Sequence, residues 1–401
     1  MNGIEIFSGA GGLAKGLELA GVKHCALVEW NVDACRSLRL NYASRIVHEE
    51  DIRHFDFSDY HDVDIIAGGP PCQPFSLGGK ARGVNDSRDM FPFAVKAIRM
   101  LRPKAFVFEN VKGLLRKPFA EYFDYILLQL TYPDVVPHSA DWRENHNVLM
   151  AHDKVAGIDG KSYNVTFTLV NAADYGVPQT RERVIIVGFR NDIGAEWAFP
   201  KPTHSKEALL WSQFVTGDYW IRHGIKNYYP DNVSDIYKNK LKDKLGLFGP
   251  ELEPWVTVRD AVCSLGEPDG NGDHQLRGGA KEYAGHTGSE MDWPSKTIKA
   301  GSHGVPGGEN MIRYPNGDVR YMSIAEAKRI QTFPDSYKIS GSWSEAMRQL
   351  GNAVPVRLGN IVAESVVDAL RNAARQRVHG KSAFLFAHGT ITDGRMAASQ
   401  Q

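Results

Sequence analysis

Apolar and polar positions along the first half of this chain fall into blocks of two kinds. Short apolar runs at 4–7 (IEIF), 24–28 (HCALV), 46–48, 63–67 (VDIIA), 105–108 (AFVF), 163–170 and 184–189 (VIIVGF) read as strands. VDIIA and AFVF have the near-continuous apolar character of strands buried on both faces. Between the strands, apolar residues recur at helical spacing over 13–20, 31–42, 91–101 and roughly 118–130, the first of these closed by Gly21. Residues 131–162 are irregular and polar, and no element is expected there. Strands alternating with helices specify an α/β fold with a doubly wound, mostly parallel sheet.

The pattern changes near residue 190. Residues 191–320 are rich in Gly, Pro, Trp, Tyr and His and show little sustained periodicity, which suggests a smaller second domain of short strands and loops. Helical spacing returns at 323–331 and again at 356–373. There Leu358, Ile361, Val362, Val366, Ala369 and Leu370 form one apolar face, which needs a partner, most simply the first domain. The expected organisation is therefore 1–190, a second domain at 191–320, a segment at 321–376 that returns to the first domain, and a weakly patterned, frayed tail at 377–401. There are no internal repeats.

Composition narrows the function classes. At 401 residues the chain is long enough for more than one domain, and its 47 basic and 47 acidic side chains neither demand nor exclude a nucleic-acid partner. Any basic binding face must be local. The four cysteines, Cys25, Cys35, Cys72 and Cys263, contain no CxxC pair and lack neighbouring histidines at ligand spacing, so neither a disulfide framework nor a metal site is expected. With no charged leader before an apolar core and no run long enough to cross a bilayer, a soluble, cytoplasmic protein is expected.

Candidate chemistry lies at the strand ends. FSGAGG (7–12) joins the first strand to the first helix as a glycine-rich nucleotide-binding turn, although it lacks the third glycine of the dinucleotide fingerprint GxGxxG. Glu29, at the tip of the second strand, is placed to accept ribose hydroxyls, and Trp30 beside it can lie on an adenine ring. Asp51 could accept from an adenine amino group while Ile52 packs on the ring. The fourth strand runs into GGPPCQPFS (68–76), where prolines stiffen a rim that presents the Cys72 thiol as a candidate nucleophile. A glycine-dotted, basic segment follows at 77–89, suited either to closing on a polyanion or to being ordinary surface. Glu109 leaves a strongly apolar strand, so partial desolvation is expected to help it hold a proton. Arg181 and Arg183 lead into the last strand; they are expected to diverge, one entering a cleft and the other tying down a loop.

Taken in order, FSGAGG, Glu29-Trp30, Asp51, GGPPCQPFS, ENV, QTRERV, RYMSIAEAKRIQTFP and QLGNAVP resemble the DNA cytosine-5 methyltransferases over nearly the whole chain, with 191–320 as the variable target-recognition part. The resemblance implies the class I fold of S-adenosyl-L-methionine-dependent methyltransferases. It also implies that cofactor as methyl donor, with S-adenosyl-L-homocysteine as product, and a cytosine flipped out of double-stranded DNA as substrate. Cys72 would attack cytosine C6, Glu109 would serve N3, Arg183 would hold O2, and Arg181 would support the catalytic loop. Phe7, Gly9, Gly11, Gly12, Leu13, Glu29, Trp30, Asp51, Ile52, Pro70, Asn352 and Ala353 would form the cofactor site. Gln73, Ser76, Lys80, Arg82, Arg88 and His303 are candidate DNA contacts, as are Arg277, Lys281, His286, Arg313 and Arg320 in the second domain. A monomer is the default, and a cognate restriction endonuclease would belong to the same system without being a necessary physical partner. Two departures stand out: Gly78-Gly79 where some members fill the vacated base stack, and Glu5 where many carry aspartate. The alternatives left open are a tRNA cytosine-5 methyltransferase of the same fold and a non-catalytic module binding S-adenosyl-L-methionine or DNA.

Overall fold

The structure, a computed structural model, describes residues 1–71, 89–155, 161–225, 235–246, 249–270, 272–284, 286–300 and 310–388, with backbone only at 235–237 and 378–388. Its centre is a seven-stranded sheet built from β1 (Asn2–Ile6), β2 (Lys23–Glu29), β3 (Val47–Glu49), β4 (Ile65–Gly68), β5 (Ala105–Val111), β6 (Tyr163–Asn171) and β7 (Glu182–Arg190). The spatial order is β3-β2-β1-β4-β5-β7-β6. The neighbours from β3 to β5 pair in parallel, while β7 runs antiparallel to both β5 and β6. This is the mostly parallel, doubly wound sheet read from the alternating pattern.

Parallel strands need crossovers, and the helices supply them. α1 (Gly12–Leu19) and α2 (Val32–Asn41) follow β1 and β2, and the Asn31 side chain caps α2 by accepting from Ala34 N–H. α3 (Phe91–Leu101) connects β4 to β5, with bounds that match the apolar spacing of the sequence. α4 (Ala120–Thr131) follows β5. Next comes α5 (Trp142–Asp153), inside the stretch expected to be irregular. The buried positions of α5 are Trp142, Asn145, His146 and Leu149. Their spacing is helical, but two of the four are polar: Asn145 donates to Ser139 O, and His146 pairs with Asp124. An apolar stripe was therefore never visible.

Residues 191–320 contain the expected short strands: β8 (His204–Ser205) pairs with β9 (Glu253–Pro254), and β10 (Ser289–Glu290), β11 (Met311–Arg313) and β12 (Val319–Tyr321) form a small sheet. The same region also carries α6 (Lys206–Phe214), α7 (Asp218–Arg222), α8 (Asp235–Leu245) and α9 (Val258–Val262). α7 and α9 have five residues each, too short for periodicity to declare itself. Three further helices complete the described chain: α10 (Ile324–Ile330), α11 (Trp343–Asn352) and α12 (Val356–His388). α12 extends past the expected stop near residue 373, into the stretch read as a frayed tail.

The core has three main parts. One face of the sheet buries Ile4, Ile6, Phe106 and Phe108 against α3 and α4. The opposite face is covered by α12, whose Leu358, Val362, Val366 and Leu370 meet Leu13 and Leu17 of α1 together with Ile185 and Val187 of β7. The apolar face of the last helix thus finds its partner in the sheet and α1. A third cluster joins Val258, Ile298, Ile312 and Met322 to Ile330, Leu350 and Ala353. It connects the small sheet to the segment between α10 and α12.

Candidate active site

The carboxyl ends of β1, β2, β4 and β5 all open on one edge of the sheet, where ligands bind in folds of this type. Phe7, just past β1, has φ 56, a left-handed conformation that costs a non-glycine residue about 1 kcal/mol or more. Gly9 (φ 53) and Gly11 (φ 83) share that left-handed backbone. A side chain at Gly9 would meet nothing, so the loop there faces open space. A side chain at Gly11 would run into the Tyr337 hydroxyl and Leu38, and one at Gly12 into the carbonyl of Val354. Tyr337 also donates its hydroxyl to Ala10 O at 2.7 Å. The glycine turn is therefore open on its ligand side and braced from behind by the C-terminal segment. Leu13, beneath it, is in the core.

Glu29 is buried, and its carboxylate receives three backbone N–H groups: Gly9 at 2.8 Å, Asn31 at 2.8 Å and Trp30 at 3.1 Å. A carboxylate has about four acceptor positions, so one remains on the oxygen facing Gly9 for a hydroxyl. Burial raises the Glu29 pKa above the ordinary carboxylate range, and the three backbone donors counter the shift. Trp30 is 71% exposed, an unusual position for a large aromatic and suitable for stacking. Asp51 grips Arg53 through both oxygens, which lowers its pKa. Ile52 is buried in the core cluster that also holds Val28 and Phe55. Asn352 ends α11 and is exposed, while Ala353 is buried.

The second half of the site forms where β4 ends. Asn110 donates to Pro70 O at 3.0 Å, fastening the Gly69–Pro71 turn to β5, and Gly69 lies against the Glu109 carboxylate. Because β7 is antiparallel to β5, Arg183 pairs in register with Val111, and its guanidinium reaches Glu109 at 2.6 Å. Both side chains are largely buried. Glu109 and Arg183 therefore meet beside the turn that leads to residue 72. Cys72, Gln73, Ser76, Lys80, Arg82, Arg88 and His303 lie outside the described residues.

Arg181 ties down a loop, as one of the two arginines was expected to, but it does not diverge from Arg183. Residues two apart in an extended segment share a side, and Arg181 sits close enough to Arg183 for their charges to repel. It is 1% exposed and donates to Gly351 O at 2.7 Å, Ala353 O at 3.1 Å and Ile298 O at 3.4 Å. Burial foremost, then Arg183, lowers its pKa well below the usual arginine value, and Glu109 partly restores it. Arg181 thus clamps the loop after α11. Among the candidate second-domain contacts, Arg320 is held by Glu326 at 2.6 Å and lies over Tyr314, Arg313 pairs with Glu282 at 3.3 Å, and Arg277 lies 4.3 Å over the Trp343 ring. His286 bonds through its backbone to Tyr283, and Lys281 is exposed.

Sequence reasoning passed over four residues. Asn110 and Gln179 lie inside the quoted ENV and QTRER pieces, so the signal was present and no role was drawn from it. Gln331, in AKRIQTFP, is fully buried and bonded to Gln179 at 3.0 Å. Tyr337 had no signal, because its partner is 327 positions away.

An open sheet with a glycine turn, an acid-tipped second strand and a buried acid–arginine pair at neighbouring strand ends makes this a doubly wound α/β fold with its candidate site at the carboxyl edge of the sheet. The C-5 cytosine-specific DNA methylase family matches residues 1–133 and 143–368. The chain is 31% identical over 374 residues to the Type II methyltransferase M.PspPI of Psychrobacter sp. (strain TA137), covering 93% of this chain and 80% of that protein. It is 32% identical over 379 residues to M.Eco47II of Escherichia coli, covering 92% and 79%. The fold is similar to that of S. pombe Dnmt2 methyltransferase, with a TM-score of 0.54, 16% identity and coverage of 92% and 98%. The chain belongs to the C-5 cytosine-specific DNA methylase family, and it is a DNA cytosine-5 methyltransferase. That membership implies S-adenosyl-L-methionine as donor and DNA as substrate. Among the described residues no helix is long and apolar enough to cross a membrane.

Proposed function

We propose that this enzyme methylates C5 of a cytosine flipped out of a specific duplex sequence, through a covalent bond between Cys72 Sγ and C6. The observation that carries the reading is the buried Glu109–Arg183 pair beside the turn leading to Cys72. Cytosine C5 is a poor nucleophile inside an aromatic ring. Thiolate addition at C6 removes that aromaticity and passes the electron pair toward C5 and N3. Glu109 is assigned the proton at N3 and Arg183 the O2 oxygen, both through charge-assisted hydrogen bonds. C5 then accepts the methyl group; loss of the C5 proton returns its electron pair, breaks the C6–S bond and frees Cys72.

S-adenosyl-L-methionine, when bound, supplies that methyl group from a sulfonium. The fit rests on three features: the free acceptor position of Glu29, the exposed Trp30 face and the open left-handed turn at Gly9. Phe7, Gly11, Gly12, Leu13, Asp51, Ile52, Pro70, Asn352 and Ala353 would line or support the same pocket. Arg181 acts as a support, through the loop that carries Asn352. The relatives named Type II methyltransferases favour a modification enzyme paired with a restriction endonuclease. Gln73, Ser76, Lys80, Arg82, Arg88 and His303 remain the proposed DNA contacts, and we take 191–320 as the target-recognition domain.

The test is covalent trapping on a duplex pool carrying 5-fluorocytosine, with S-adenosyl-L-methionine. Fluorine cannot leave as a proton, so a protein–DNA band resistant to denaturation is expected for the wild type and not for Cys72→Ala. A band on fluorinated tRNA and none on DNA would move the substrate to RNA. Absence of both bands would overturn the covalent mechanism.

A further inference from the structure

The buried side chains of Gln179, Arg181 and Gln331 close a ring of hydrogen bonds. Gln331 Nε2 donates to Leu350 O and, at 3.4 Å, to Ala353 O. Gln331 Oε1 accepts from Gln179 Nε2 at 3.0 Å, and Gln179 Oε1 accepts Ile298 N–H at 3.0 Å. Ile298 O accepts from Arg181, and Arg181 returns to Ala353 O at 3.1 Å. The circuit is complete: Gln331, Gln179, Ile298, Arg181, Ala353. All three side chains are almost wholly shielded from water.

The ring has two faces. On one, the carbonyls of Leu350, Gly351 and Ala353 are each held by a ring donor, leaving exposed Asn352 between fixed neighbours. On the other, Arg181 lies two residues from Arg183, which pairs with Glu109. Next to the ring, Thr332 takes a left-handed backbone (φ 58), which a β-branched residue adopts only when its surroundings impose it. Its hydroxyl donates to Gln331 O and accepts Arg357 N–H at 2.8 Å, joining the ring to the start of α12. Buried polar groups wired in a closed circuit are intolerant of losing one member, since each broken bond leaves a partner stranded away from water.

We propose that Gln331 is a positioning residue that makes the cofactor-side loop at 350–353 and the base-side strand start at 181–183 move as one unit, so that occupation of either half of the site is felt at the other. Gln331 touches neither ligand and acts through Arg181 and Ala353. The inference rests on the proposed assignment of Asn352 to the cofactor and Arg183 to the base.

The experiment measures duplex affinity of the full chain with and without S-adenosyl-L-homocysteine, alongside affinity for S-adenosyl-L-homocysteine alone. In the wild type the cofactor product is expected to change the duplex Kd by roughly tenfold, within the usual span of coupling between sites. In Gln331→Met, which keeps length and removes both hydrogen-bonding ends, that ratio should fall to near one. Gln179→Met should do the same, and the double variant should lose no more coupling than either single one, because all three break one ring. Tyr163→Phe, which removes a remote buried bond to Pro103 O, controls for loss of stability and should keep the wild-type ratio. A ratio unchanged in folded Gln331→Met, or losses that add in the double variant, would overturn the inference. A wild type that binds neither ligand would overturn the functional reading itself, and this inference with it.

Discussion

Arg183 and Glu109 lie 2.6 Å apart with little solvent around them. Replacing Arg183 with Leu would strand a buried carboxylate, for which a loss of about 3–5 kcal/mol in unfolding free energy, read from urea denaturation, is expected. Glu109→Gln keeps the shape and removes the proposed proton carrier at N3, so kcat should fall by about 10²-fold or more while the duplex Kd changes little. The two loop glycines offer a contrast at the same scale. Alanine at Gly9 adds only the left-handed backbone penalty of about 1–2 kcal/mol, since its side chain meets open space. Alanine at Gly11 adds collisions with Tyr337 and Leu38, so it should lower stability further and weaken S-adenosyl-L-methionine binding more than Gly9→Ala does. Titration calorimetry on the two variants would show the order.

α1 and α12 cross with their backbones nearly touching, because glycine faces glycine: a side chain at Gly16 would lie 2.6 Å from Asn360 N and 2.7 Å from Gly359 C. Gly16→Ala must push the helices apart and should cost about 1–3 kcal/mol, visible as a lower Tm in calorimetry. That crossing was half legible from sequence. The apolar face from Leu358 to Leu370 announced a packing surface, but nothing at Gly16 named its partner. The strands of the sheet were readable because burial on both faces makes them apolar throughout, and the turns after them were readable from their glycines and prolines. α5 was not, because its buried face is half polar, with Asn145 and His146 satisfied by local and cross-helix bonds. The same limit hid Gln331: a buried amide looks like any surface glutamine until its partners at 179 and 350 are brought beside it. Arg181 was half legible: a loop-tying role was read for it, but its divergence from Arg183 was not found. The motif fixed its importance, while its direction followed from a periodicity in which residues two apart share a side.

At the scale of the whole molecule, buried Glu5 is one of the groups through which stability responds to pH. Glu5 is 2% exposed, and burial, reinforced by nearby Glu29, raises its pKa well above the ordinary range. A carboxyl raised in the folded state binds more protons folded than unfolded, so the stability it contributes is present below about pH 4.3 and is lost as pH climbs through its raised value. The urea midpoint of Glu5→Gln, which is permanently neutral, should therefore vary less than the wild type's between pH 5 and 8, and should exceed it at pH 8. The brace behind the glycine turn has a different consequence, one of timing. Tyr337 and Val354 back a loop made from residues 7–12, so a segment synthesised early is completed by one made far later, the Tyr337–Ala10 bond spanning 327 positions. All seven strands of the central sheet precede that segment in the sequence, so the sheet's strands are synthesised before the brace of the turn. The turn is therefore completed only after the segment carrying Tyr337 and Val354 has been made and has folded back onto it, which places its readiness for a ligand late in synthesis.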